Sequence, residues 1–85
     1  MKTKQTDDWV RHLSELDTES DFKIIKINAR GEIRRRLLDI GFIKNQKGRV
    51  VRKALLRDPI EIEIKGTRVS LRRSEAEFID VVEQD

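Results

Sequence analysis

Residues 60–71 leave the chain little conformational choice. Ile60-Glu61-Ile62-Glu63-Ile64 and Thr67-Arg68-Val69-Ser70-Leu71 are two alternating runs joined by Lys65-Gly66. A period of two places every second side chain on the same face of a strand, and a two-residue link containing glycine makes a hairpin turn. Pairing Ile64 with Thr67 sets Ile62 opposite Val69 and Ile60 opposite Leu71 on one face, and Glu63 opposite Arg68 on the other. The two patterns agree on one register, so the sheet has an apolar face that other elements must cover. Pro59 starts the first of these strands, where a missing N–H is tolerated. Gly66 is assigned to the turn, and Ile62 and Leu71 to the core.

The remaining sequence supplies the cover. Phe22-Lys23-Ile24-Ile25-Lys26-Ile27 is rich in β-branched residues, and the adjacent Ile24 and Ile25 break the alternation as a bulged strand would. From Gly31 to Ile40 the period changes. Ile33, Leu37 and Ile40 share one face of a helix advancing about 100° per residue, Arg35 and Asp39 point away, and Gly41 follows as a terminating residue. Asn45 and Gly48 supply turn chemistry before a strand from Val50 to about Leu55. Ser74 and Glu77 fit a capping box that opens one helical turn, and Phe78–Val82 alternates as a last strand. Near the start, Trp9, Val10, Leu13 and Leu16 have helical spacing over one or two turns. The expected domain covers residues 9–82, with a loose lead-in at 1–8 and a frayed acidic tail at 83–85. At 85 residues the chain supports one core. Five short strands with one amphipathic helix after the first predict a small, mainly β, SH3-like barrel.

Composition removes several function classes. There is no Cys, so disulfides, thiolate metal sites and thiol catalysis are absent, and a reducing compartment, the cytoplasm, is the simplest home. No run approaches the roughly 18 apolar residues of a membrane span, and the N-terminal lysines are not followed by an apolar core, so neither a membrane segment nor a signal peptide is expected. The single imidazole, His12, has no second His or Cys at ligand spacing, so no metal ligand set is assigned. No Gly-rich phosphate loop or nucleophile elbow occurs, so neither catalysis nor a cofactor is expected. The net charge of +3 is uneven, because residues 22–57 hold 12 Lys or Arg against Glu32 and Asp39. A basic middle suits an anionic partner, although folding can intermix it with the acidic ends into a mixed surface.

Three segments carry a resemblance to a known family: Leu13-Ser14-Glu15-Leu16, Arg34-Arg35-Arg36-Leu37-Leu38-Asp39-Ile40-Gly41-Phe42, and Asp58-Pro59-Ile60 through Arg72 followed by Glu75-Ala76. In order and spacing, the chain from about Leu13 to Val82 resembles the FeoA family, the ferrous iron transport protein A family. The resemblance implies an SH3-like barrel with a helix inserted after its first strand. It also implies a bacterial cytoplasmic accessory that acts by contact with ferrous iron transporter B (FeoB), a membrane transporter with a cytosolic GTPase domain. Three positions depart from the family pattern: Lys44-Asn45 replaces a Pro-Gly pair, Arg57 replaces the glycine before Asp-Pro, and Asp17-Thr18-Glu19-Ser20 lacks a customary glycine.

Arg34, Arg35 and Arg57 are accordingly assigned to partner contact, and Leu37, Gly41, Pro59, Ile62, Gly66 and Leu71 to structure. The competing class is a small basic barrel that binds RNA or single-stranded nucleic acid through Arg34, Arg35, Arg36, Arg49, Arg52 and Lys53. Against it, Phe22, Phe42 and Phe78 occupy expected core positions and leave no basic strand with exposed stacking residues. The oligomeric state is left open.

Overall fold

The computed structural model describes residues 9–84, so the expected lead-in at 1–8 lies outside the described residues. Six antiparallel strands and two short helices follow in the order β1 (Val10–His12), β2 (Asp21–Ile27), α1 (Gly31–Ile40), β3 (Lys47–Lys53), β4 (Ile60–Ile64), β5 (Thr67–Leu71), α2 (Arg73–Ala76) and β6 (Ile79–Gln84), with 3₁₀ turns at Leu13–Glu15 and Leu55–Arg57. They form one sheet in the order β1-β6-β2-β3-β4-β5. Its two outer strands, β1 and β5, do not pair with each other, so the sheet is open at that seam.

The hairpin adopts the register that its pattern requires, with Ile60 opposite Leu71, Ile62 opposite Val69, Glu63 opposite Arg68 and Ile64 opposite Thr67. Ile60, Ile62, Ile64 and Leu71 are buried, and Gly66 holds φ +74° in the turn. The irregularity at Ile24-Ile25 is also present, since the β2–β6 register shifts between Ile24 and Lys26. That shift sends both Ile24 and Ile27 into the core, which strict alternation would forbid. Leu37 from α1, Phe42 from the following loop, Phe22, Val50, Ile79 and Val81 complete the same cluster.

Gly41 ends α1 with φ +122°, and its N–H donates to the carbonyls of Leu37 and Leu38. Such a φ is strained for any residue carrying a β-carbon, which is why the helix stops at a glycine. Asn45 adopts φ +72° in the next turn and binds back to β2, donating from its N–H to the Ile24 carbonyl at 2.7 Å.

Several expectations are corrected. Trp9–Leu16 is not helical. Val10–His12 pairs with Asp80–Val82 of β6, and the spacing of three between Leu13 and Leu16 reflects a single 3₁₀ turn that buries both leucines. The sheet therefore has six strands, not five. β3 begins at Lys47 and ends at Lys53, two residues short of the expected end, because the chain enters the 3₁₀ turn Leu55–Arg57, closed by the Arg57 N–H donating to the Ala54 carbonyl at 2.7 Å. Pro59 is exposed and immediately precedes β4. The capping role at α2 belongs to Glu75, whose carboxylate accepts the Arg72 N–H at 3.0 Å, and not to the Ser74–Glu77 pair. β6 starts at Ile79 and continues through Gln84, so residues 83 and 84 are strand and not tail. Phe78 and Ile33 are 39% and 40% exposed, so neither belongs to the core.

Candidate functional site

The three arginines assigned from the sequence take up different situations. Arg34 donates from Nη1 to the Ile27 carbonyl at 3.0 Å, tying α1 to the end of β2. Arg35 lies beside it in a shallow depression lined also by Gly31, Leu38 and Asp39. Among the described residues, no carboxylate stands within ion-pair distance of Arg35 or Arg57. Arg36, the third of the run, pairs with the buried Glu75, which is 7% exposed and thereby joins α1 to α2. One residue of the Arg34-Arg35-Arg36 run is thus presented freely, while the other two serve the fold.

Arg57 lines different depressions, on the loop between β3 and β4. That loop is fixed at both ends. The Arg57 N–H donates to the Ala54 carbonyl at 2.7 Å, and the Asp58 carboxylate accepts the Arg73 N–H at 3.0 Å, which ties the loop to the first residue of α2. Lys53 donates from Nζ to the Ser14 carbonyl at 3.2 Å, which ties it to the 3₁₀ turn after β1. Burial pulls the Lys53 ammonium below the ordinary lysine range; Arg57 and Arg73 add to this effect, and Asp17 opposes it. Lys53 and Arg57 line one depression at this end of the domain, and Arg57 and Arg73 line the next. The latter is an open cleft of about 580 Å³ lined by His12, Ser14, Glu15, Arg57, Arg73, Glu77 and Phe78.

The feature that sequence reasoning missed is the tip of this loop. Leu55 and Leu56 are 89% and 85% exposed. Read as the end of β3, Leu55 would have been half-buried. The available signal was two adjacent leucines directly before Arg-Asp-Pro, too close to a turn for both to reach the core.

On the hairpin's outer face, Glu61 receives Arg52 from β3 at 3.9 Å and Arg68 from β5 at 3.8 Å. Arg68 thus pairs diagonally with Glu61 and not with Glu63 directly opposite it. His12 meets Asp80 at 3.1 Å, and Asn28 donates to the same carboxylate at 2.8 Å. Among the described residues, no group of three or more His, Cys, Asp or Glu side chains is arranged to hold a metal ion. Among them, too, no helix is long and apolar enough to cross a membrane.

The FeoA domain model matches residues 11–83, which takes in all of this architecture from β1 into β6. The chain belongs to the FeoA family. A curated relative, the Fe(2+) transport protein A/Fe(2+) transporter FeoB fusion protein of Porphyromonas gingivalis, is 42% identical over 69 residues, covering 81% of this chain and 8% of the fusion protein. This FeoA chain thus matches a small part of that polypeptide's length. The solution structure of the FeoA protein of Chlorobium tepidum has a TM-score of 0.82 and 37% identity, covering 88% of this chain and 71% of that one. The Stenotrophomonas maltophilia FeoA, solved in complex with zinc and described as a prokaryotic SH3 domain protein, has a TM-score of 0.72 and 33% identity, covering 81% and 86% of the two chains. The fold is thus SH3-like and mainly β, and the family is one of ferrous iron transport. Arg57 keeps a left-handed backbone, φ +63°.

Proposed function

We propose that this FeoA protein is a non-catalytic accessory of ferrous iron uptake that works by contact with the cytosolic region of FeoB, itself residing in the cytoplasm. The observation that carries this reading is the Porphyromonas gingivalis relative in which transport protein A and the transporter form one polypeptide. A covalent link between two modules raises the effective concentration of each for the other, which is of use only if they meet. Within this chain, Arg35 and Arg57 are the contact residues of choice, each exposed and without a carboxylate partner among the described residues. Arg34 supports the contact from beneath by fixing α1 to the Ile27 carbonyl.

Binding of the purified protein to the cytosolic GTPase domain of its cognate transporter, measured beside a generic RNA and a single-stranded DNA across a salt series, tests this. Saturable transporter binding, weakened about tenfold by combined Arg35→Glu and Arg57→Glu with the circular dichroism spectrum unchanged, is the expected result. Absence of transporter binding together with tight nucleic-acid binding would overturn it in favour of a basic nucleic-acid module.

A further inference from the structure

The loop between β3 and β4 combines three properties that the core does not explain. Its two leucines, Leu55 and Leu56, are almost wholly in water. Its backbone is left-handed at two successive residues that have β-carbons, Leu56 (φ +64°) and Arg57 (φ +63°), a conformation that L-residues resist. Its flanks bring cations together, Lys53 and Arg57 lining one depression and Arg57 and Arg73 the adjoining cleft. Exposed apolar surface, retained backbone strain and clustered like charge each disfavour the isolated fold, and their coincidence marks a binding element.

We infer that this loop is a membrane-contact element: Leu55 and Leu56 enter the interface of an anionic bilayer while the exposed Arg57 and Arg73 meet headgroup phosphates, with Lys53 held behind them by the Ser14 carbonyl. The form of the surface favours lipid over a protein pocket. The leucines project from a three-residue turn, and the shallow depression that they line is completed by polar Asp17, Thr18, Lys53 and Arg57 and by Ala54. A stable protein interface needs on the order of 800 Å² per partner with an apolar centre, which two leucines ringed by polar groups do not provide. Insertion into a bilayer interface needs no matching shape, only a few apolar side chains with cations at headgroup level. Glu77, which pairs with the Arg73 guanidinium at 3.9 Å, Asp17, beside Lys53, and Asp58, whose carboxylate is engaged by the Arg73 N–H, temper the local charge. The attachment is therefore weak and reversible, suited to a protein whose principal partner already lies in the membrane. The inference rests on the FeoB reading for its purpose but not for its test.

Flotation of the full-length protein with vesicles of equimolar phosphatidylcholine and phosphatidylglycerol, and with pure phosphatidylcholine, measures the contact without any transporter. The expected result is salt-sensitive binding to the anionic vesicles and little to the neutral ones. Leu55→Ser with Leu56→Asn should reduce it by about tenfold or more, since each buried CH₂ contributes roughly a fourfold factor. Asparagine suits the left-handed backbone, and both side chains are exposed, so this variant keeps the fold. Arg57→Glu should reduce anionic-vesicle binding as well. No binding at low ionic strength, equal binding to both vesicle types, or undiminished binding by the leucine variant would each overturn the inference. Loss of binding to the transporter's cytosolic domain by the leucine variant, with vesicle binding intact, would overturn it in favour of a protein anchor. Vesicle binding without transporter binding would uphold it and overturn the FeoB reading instead.

Discussion

Replacing Arg57 with glycine should make this protein more stable and less competent to bind. Residue 57 stands at φ +63° in the 3₁₀ turn before Asp58-Pro59, where its side chain makes no hydrogen bond or ion pair with the described residues. The left-handed region costs a residue with a β-carbon about 1–2 kcal/mol, and glycine returns about 0.4–1 kcal/mol of this through its freer unfolded chain. The difference leaves a net gain of about 0.5–1 kcal/mol. For a domain of this size that corresponds to a rise in Tm of roughly 2–8 °C. Removing the guanidinium also relieves Lys53 of one repulsive neighbour, in the same direction. Arg57→Ala separates the two effects, because alanine loses the charge but keeps the β-carbon. Urea titration followed by circular dichroism, at unchanged m-value, should rank the glycine variant above both alanine and wild type. Both variants should bind the transporter domain and anionic vesicles less well than wild type. A glycine variant no more stable than the alanine variant would refute the claim that the backbone at this position is strained.

Two further outcomes follow from the packing. Gly48→Ala would place a β-carbon 2.6 Å from Cζ of the buried Phe22 and 3.0 Å from the Glu63 carbonyl oxygen; a loss of about 1–3 kcal/mol is expected in the urea midpoint. Lys53 has its folded pKa below 10.5, so the unfolded chain binds more protons than the native state between the two pKa values. The stability of wild type relative to Lys53→Gln should therefore rise as pH increases from the folded pKa towards 10.5, which thermal melts over that alkaline range would measure.

What could be read from the sequence depended on whether neighbouring positions constrained one another. The hairpin was legible because its apolar face, its charged face and its turn all demand a single register. α1 was legible because Leu37 and Gly41 fix its buried face and its end, whereas Ile33 misled, since periodicity cannot say how far the first turn leans from the sheet. The start of the chain was misread because Leu13 and Leu16, three apart, satisfy a 3₁₀ turn as well as an α-helix, and nothing local reveals that Val10–His12 pairs with residues some 70 positions away. Phe78 was given a core address and β3 was carried to Leu55 for a related reason: a strand reading extends an apolar run as far as it goes, while the actual strand ends depend on the backbone bonds that close the neighbouring turns, Arg57 N–H to the Ala54 carbonyl and Asn28 N–H to the Phe78 carbonyl. Of the candidate site, Arg35 and Arg57 could be found from charge and family pattern. The leucine tip beside Arg57 left only one sign, two adjacent leucines directly before Arg-Asp-Pro, and the extent of its exposure follows from the closed loop.

The pairing of β1 with β6 sets Val10 opposite Val82, so the strand that opens the domain and the strand that closes it are neighbours at one edge of the sheet. Both connections to any further polypeptide consequently leave from the same corner. A module wired in this way is portable: it can be carried at either end of a larger protein, or inserted into one of its surface loops, without spreading the host's flanking residues. Such wiring suits a tethered segment of a much longer chain, and the Porphyromonas gingivalis fusion protein, 8% of which this chain matches, is a relative of that kind.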